Sequence, residues 1–229
     1  MDIEKHLKTF LCNNVAEAGG GKLRSSYAHE IVAAFLGYGR KQDLVADLKT
    51  QTGSDLELLR QASHLLVDAD LVDRRCLDIE QASLSDKHGS IVKLPSPEQV
   101  IVRLRAILEY WRERPISLIL IYDDGRQWIE QVHDNLLFEL TESLSGVMAD
   151  TNAFFGEMTV DTGGVWWGES TVELTCEGML HGEQDRDRMY LGDKIDFQAT
   201  LKFTRSGGRT GVKDASFTAF GAVDHSVYY

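Results

Sequence analysis

The spacing of hydrophobic positions changes once along the chain, and the change separates a helical part from a β part. As far as residue 146, apart from the apolar run of strand length ISLILIY at 116–122, apolar residues recur every three or four positions, which is the period of one helical face. Leu65 and Leu66, for example, lie on the apolar stripe of the fourth predicted helix. From residue 154 the period is two, as on one face of a strand. The pattern predicts an α+β protein in which helices pack on a C-terminal antiparallel β-sheet.

Two stretches carry the strand pattern most clearly. In STVELTCEG and KIDFQATLKFT, apolar residues alternate with polar ones. We expect the apolar set to form the buried underside of a sheet whose other face is wet. The set consists of Val172, Leu174, Cys176, Ile195, Phe197, Ala199, Leu201 and Phe203.

The segment SLSDKHGSIVKLPSP, residues 83–97, holds two of the three prolines of the chain and predicts a linker. Residues 1–82 before it form a predicted helical module, and residues 98–229 after it form a predicted α+β domain. Within that domain, the pattern assigns helices to 98–146 and the antiparallel sheet to 154–225.

Charge favours some partners over others. The formal net charge is −12, and residues 151–229 hold 12 acidic against 7 basic residues. A general phosphate-binding face is therefore disfavoured over the C-terminal two-thirds of the chain. The excess of acidic residues has two explanations. It can keep the protein soluble, or it can form an acidic surface that docks a basic protein.

The cysteines and the hydropathy indicate a compartment. The three cysteines, Cys12, Cys76 and Cys176, form no CxxC pair, and no apolar run approaches 18 residues. The N-terminus mixes acids and bases and lacks the continuous apolar core of a signal peptide. We expect a cytoplasmic protein with reduced thiols and with no membrane span, structural zinc or cofactor.

Aromatic residues are the candidate interaction sites. Trp166 and Trp167 are adjacent in a predicted strand, so their side chains should point to opposite faces, one of them into the core. Tyr228 and Tyr229 end the chain. Tryptophan and tyrosine are common anchors of protein interfaces, so these four are the predicted contact residues. The alternative is that both tryptophans are buried in a two-layer fold.

Two acidic stretches raise the question of metal binding. HGEQDRDRMYLGDKIDF, residues 181–197, has arginines among its acids and lacks the glycine and late glutamate of a calcium loop, so it predicts a charged hairpin loop. Asp123 and Asp124 follow an apolar strand, which is a common place for magnesium chemistry. A metal-dependent hydrolase or nuclease using these two residues is one alternative function, although a tight turn that caps the next helix explains them more simply.

Residues 22–49 suggest a second alternative. They can be written as a helix-turn-helix, in which Lys22, Arg24, Arg40 and Lys41 would contact nucleic acid. Asp43 and Asp47 on the predicted recognition helix would face phosphate poorly. The alternative function is therefore a DNA-binding regulator.

Residues 22–48 also carry a resemblance to a short helical module. The stretch is similar to an S-H-x-x-E-x-[IL]-A-x-x-x-G-[YW] segment of poorly characterised bacterial proteins borne on plasmids or genomic islands, some labelled as glyoxalase superfamily. The likeness rests on Ser26, Glu30, Ile31, Ala33, Gly37 and Tyr38, while His29 departs from the pattern. It transfers no catalytic residue, and it implies an accessory or anti-defence protein of a mobile genetic element.

These observations favour a non-enzymatic function. No nucleophile elbow or phosphate-binding loop is present in the sequence, and the seven histidines are scattered. We therefore predict no catalytic residue. The favoured hypothesis is an acidic cytosolic protein that acts through its surface on a protein partner.

Overall fold

A computed structural model describes residues 3–17, 23–50, 59–85, 92–122, 127–151, 153–184, 194–207 and 209–224. The chain forms two compact units. The first contains residues 1–122 and 205–213, and the second contains residues 123–204 and 214–229. The division falls after residue 122 and not at 83–97, because the helix that follows the expected linker packs on the N-terminal helices.

Within the described ranges, the first unit combines five helices with a short parallel strand pair. Its elements, among the described residues, are α1 (Ile3–Glu17), α2 (Ser25–Phe35), α3 (Lys41–Thr50), β1 (His64–Asp68), α4 (Ala69–Ser85), α5 (Pro97–Arg112) and β2 (Ser117–Ile121). β1 pairs in parallel with β2, and its other side pairs with Gly211 and Val212 at the start of β6. Helix α5 contacts α1 and α4, so this helix does not belong to the C-terminal layer for which the sequence pattern predicted it.

Strand β1 corrects one sequence prediction. Leu65 and Leu66, expected on a helical stripe, lie in this strand together with Val67, and all three side chains are fully buried. A strand that is covered on both faces shows a continuous apolar run in place of alternation. Such a short run cannot be distinguished from a helical segment by its period.

Local sequence fixes the ends of two helices in this unit. The Ser96 hydroxyl accepts a hydrogen bond from the Gln99 N–H, and Pro97 occupies the first turn, so α5 begins there. Helix α2 gives way to a turn at Gly37, whose φ of 82° favours glycine. A Cβ at this position would lie 2.8 Å from Cβ of Arg209, so the turn also depends on a close approach.

The second unit is an antiparallel sheet with helices on one side. Its elements are α6 (Gln127–Ser143), α7 (Ser145–Ala149), β3 (Ala153–Trp167), β4 (Thr171–Gln184), β5 (Lys194–Gly207) and β6 (Gly211–Val223), of which β5 and β6 also contribute to the first unit. The strand order within the unit is β6-β5-β4-β3. Helices α6 and α7 contact β3.

The expected underside is confirmed. All of its members are buried except Leu201, which is half-buried. Leu144, just before α7, lies on this side, because a Cβ at Gly221 would be 3.0 Å from both Leu144 Cδ1 and Ile195 Cγ2. The described residues form a mostly antiparallel sheet of six strands together with helices, so the fold is α+β as predicted. Among the helices of the described ranges, none is long and apolar enough to cross a membrane.

Candidate functional site

The face of the β3–β5 sheet opposite the underside is here called the open face. Residues that pair directly across neighbouring strands share a face, so the register defines its rows. From the β3–β4 turn onwards, the rows are Trp166–Glu173–Lys202, Gly164–Thr175–Thr200, Thr162–Glu177–Gln198 and Thr159–Met179–Asp196.

The open face carries more negative than positive charge. Lys202 Nζ lies 2.6 Å from Glu173 Oε1 and neutralises that carboxylate. Glu177 Oε1 instead accepts a hydrogen bond of 3.1 Å from the neutral amide of Gln198, so its charge is kept. Within the part of the chain that the structure describes, no cation pairs with Asp161 or Asp196.

The uncompensated carboxylates line a shallow groove of about 500 Å³. We call it the acidic groove and define it by Asp161, Glu177, Asp196, Gln198 and Phe220. Phe220 reaches it from β6, with 76 % of its surface exposed. The groove thus places an accessible aromatic ring beside three carboxylates on neighbouring strands.

A second hollow of about 310 Å³ lies next to the acidic groove and shares Glu177 and Gln198 with it. Its floor is the row Gly164–Thr175–Thr200, where small side chains leave space between the Trp166 row and the Glu177 row. We call it the threonine hollow. Cys176 lies below it, and burial, with a smaller contribution from the charge of Glu177, raises the pKa of this thiol to about 11. The thiol is therefore protonated at neutral pH and supplies no nucleophile to the open face.

Gly178 allows β3 and β4 to approach closely beside the groove. A Cβ at this position would overlap the carbonyl oxygen of Thr159 and lie 2.9 Å from Cα of Val160. The pairing of the two strands is irregular between Val160 and Thr162. Asp161 lies in this irregularity, which brings its carboxylate to the groove.

The two adjacent tryptophans are exposed on opposite faces of β3. Trp166 pairs with Glu173 on the open face and is 56 % exposed, whereas Trp167 pairs with buried Val172 on the underside and is 38 % exposed. The prediction of opposite faces is confirmed, but neither ring is in the core. The expectation that one or both are buried is wrong, because they lie at the end of the strand beside the Gly168 turn.

The candidate nucleic-acid residues lie around α2 and α3 of the first unit. Arg24 and Arg40 are exposed, and the backbone N–H of Lys41 donates to Glu30 Oε2 at 3.1 Å. Asp47 Oδ2 lies 3.9 Å from Arg209 Nη2. Helix α3 carries two acids and two bases, Asp43, Asp47, Lys41 and Lys49, so its charges balance.

Several predicted residues lie outside the described residues. They are Lys22, Asp123, Asp124, Tyr228 and Tyr229, together with positions 185–193 of the acidic hairpin loop. Strand β2 ends at Ile121, which pairs with Asp68 at the end of β1. Asp68 accepts a hydrogen bond from the Leu71 N–H at 2.7 Å and so caps α4. Across the described ranges, no group of three or more His, Cys, Asp or Glu residues could hold a metal ion.

Comparison with known proteins gave no family for the chain: it matches no protein-family model, no curated protein and no solved structure. The candidate site is therefore defined by the geometry of the open face alone. Sequence reasoning recognised Glu173, Thr175 and Glu177 as a wet strand face but did not identify the acidic groove. The alternation of these residues was the available signal, but the position of Asp161 in the β3 irregularity was not visible in it.

Proposed function

We propose that the chain is a binding protein whose open face docks a basic segment of a protein partner. One observation carries the proposal: Asp161, Glu177 and Asp196 line the acidic groove beside the exposed ring of Phe220, and no cation of the described residues pairs with them. The role needs no chemical step. The mobile-element setting rests only on the likeness of residues 22–48, and the proposed partner follows from the second unit without it.

The chemistry of the open face fits arginine and lysine side chains. Carboxylates make short, charge-assisted hydrogen bonds to guanidinium and ammonium groups. A cation above an aromatic face gains further stabilisation, and Phe220 and Trp166 offer such faces at both ends of the surface. The net charge of −12 would speed the encounter with a basic partner through electrostatic steering. Since the groove is open to solvent, binding should weaken with salt.

The test removes charge from the groove without changing side-chain shape. The variant Asp161→Asn, Glu177→Gln, Asp196→Asn is compared with a control that removes the same charge from exposed positions on α6, namely Asp134→Asn, Glu139→Gln, Glu142→Gln. The probe is a flexible peptide of repeated Arg-Gly-Ser, titrated into the full chain by calorimetry at about 50 and about 300 mM salt.

We expect the groove variant to bind the peptide at least tenfold more weakly, and the α6 control to stay within twofold of the wild type. Three charge-assisted contacts of modest strength are sufficient for such a loss. Equal weakening in both variants would show that only net charge matters and would overturn the proposal. Tight binding of duplex DNA that is lost on Arg40→Ala, Lys41→Ala would equally overturn it, in favour of the nucleic-acid alternative.

A further inference from the structure

The outer edge of β3 presents backbone hydrogen-bonding groups next to the open face. The Gly168 N–H donates to the Thr171 oxygen at 2.9 Å across the turn between β3 and β4. Hydrogen-bonded and non-hydrogen-bonded pairs alternate in an antiparallel ladder, so Trp166 and Gly164 also bond to β4. The N–H and C=O groups of Gly163 and Val165 therefore point away from β4. Among the described strands of the second unit, β3 is the last one on this side.

This part of the edge lacks the features that normally protect an edge strand. Natural edges are blunted by charges, prolines or bulges. The two irregularities of β3 lie earlier, between Phe155 and Glu157 and between Val160 and Thr162. From Thr162 to Trp167 the register is regular, and the sequence TGGVWW holds no charge and no proline.

The exposure of both tryptophans points to the same edge. Trp166 projects from the open face and Trp167 from the underside, yet both keep a large accessible surface. A ligand that covers only the open face would contact Trp166 alone. An extended segment running along β3 would contact both rings, because its own side chains alternate between the two faces.

We propose that the partner adds a β-strand to the Gly163–Val165 edge of β3. This inference rests on the proposed function, since the partner is again a basic segment. Its side chains on the open-face side would enter the threonine hollow and reach the carboxylate of Glu177. A second copy of the chain fits less well as the occupant, because each copy carries a net charge of −12 and has Asp161 two residues before this edge.

The experiment separates backbone pairing from charge. The probe is a peptide of alternating arginine and valine, compared with the same peptide methylated on every second backbone nitrogen, which removes the donors on one edge. On the protein, Val165→Pro removes an N–H that points outward, and Val165→Ala is its matched control because it loses side chain but keeps the N–H. Binding is followed by calorimetry on the full chain, with circular dichroism to check folding.

We expect at least tenfold weaker binding for the methylated peptide and for Val165→Pro, with Val165→Ala within about threefold of the wild type. The methylated peptide keeps the test decisive if Val165→Pro does not fold. Equal affinity for both peptides would overturn strand addition; the proposed function would then still stand if Asp161→Asn, Glu177→Gln, Asp196→Asn weakens both. Failure of the wild type to bind either peptide would overturn both proposals. A dimer in sedimentation that Val165→Pro abolishes would identify a second copy as the occupant and overturn the basic partner.

Discussion

The indole ring of Trp166 lies directly over Gly168, the residue at which β3 turns into β4. A Cβ at Gly168 would overlap Cη2 and Cζ3 of the ring and lie 3.1 Å from the Thr171 oxygen. The absence of a side chain at Gly168 therefore leaves room for the far end of the ring beside the turn. The aromatic end of the proposed docking surface depends on this glycine.

Gly168→Ala should displace the Trp166 ring with little loss of stability, because the overlapping atoms are the far end of a side chain that can rotate. We expect a shifted indole N–H resonance for Trp166 in the NMR spectrum and weaker binding of the arginine peptides. Gly156→Ala on the same strand is the control, since a Cβ there meets nothing within 4 Å. An unmoved Trp166 resonance in Gly168→Ala would contradict the predicted coupling.

Gly178→Ala should destabilise the fold much more than Gly168→Ala, because its Cβ would overlap backbone atoms, which cannot rotate away. We expect the free energy of unfolding to fall by about 1–3 kcal/mol, the usual cost of overpacking. The strands would separate at the Val160–Thr162 irregularity, so Asp161 would leave the acidic groove and peptide binding would weaken as well. Urea unfolding measures the free energy of unfolding, and calorimetry measures peptide binding. A smaller loss of stability in Gly178→Ala than in Gly156→Ala would refute the prediction.

The hydrophobic pattern predicted the strands that have one solvent-exposed face. It missed the strand that is buried on both faces and the groove that depends on how the strands pair. Glu173 and Thr175 alternate with Val172 and Leu174, so β4 was recognisable. Strand β1 has no polar face, and its apolar run was assigned to a helix.

The acidic groove could not be found by pattern alone. Its carboxylates come from three strands, and they meet only because Glu177 pairs opposite Gln198 while Asp161 lies in the β3 irregularity. Pairing register is set by turn geometry and by burial of the underside, neither of which a local pattern specifies. Hydrophobic alternation therefore predicted the open face, but it did not predict which charges share a row.

Lys202→Met should strengthen binding of the arginine peptide while leaving the fold stable. Lys202 is the cation that neutralises Glu173 in the row next to the threonine hollow, at 2.6 Å. Exposed ion pairs contribute roughly 0–1 kcal/mol to stability, so the melting temperature should change little. Freeing the Glu173 carboxylate should increase affinity by up to about fivefold. The corresponding gain in binding free energy is similar to the contribution of one exposed ion pair. Calorimetry at low and high salt checks this, and an unchanged affinity at low salt would show that Glu173 lies outside the contact.

The buried thiols should make the protein less stable in alkaline solution. Burial, followed by the charge of Glu177, raises the pKa of Cys176 to about 11, and burial with Asp73 and Glu80 raises that of Cys76 to about 12. As the pH rises above about 9, the ordinary thiol value, the unfolded chain releases these protons while the folded chain retains them. The unfolded state then binds fewer protons, so the free energy of unfolding falls, by up to about 1.4 kcal/mol per pH unit for each thiol. The fall attributable to Cys176 should end near pH 11, where the folded chain also ionises.

Urea unfolding between about pH 8 and about pH 10.5 measures this slope, and comparison with Cys176→Ala isolates one thiol. The variant loses stability at every pH because it leaves a cavity, but its slope should be shallower than that of the wild type. Cys12→Ala, at a half-buried position in α1, serves as the control for removing a thiol. Parallel slopes for the wild type and Cys176→Ala would mean that Cys176 ionises equally in both states, and the sheet above it would then be open to water.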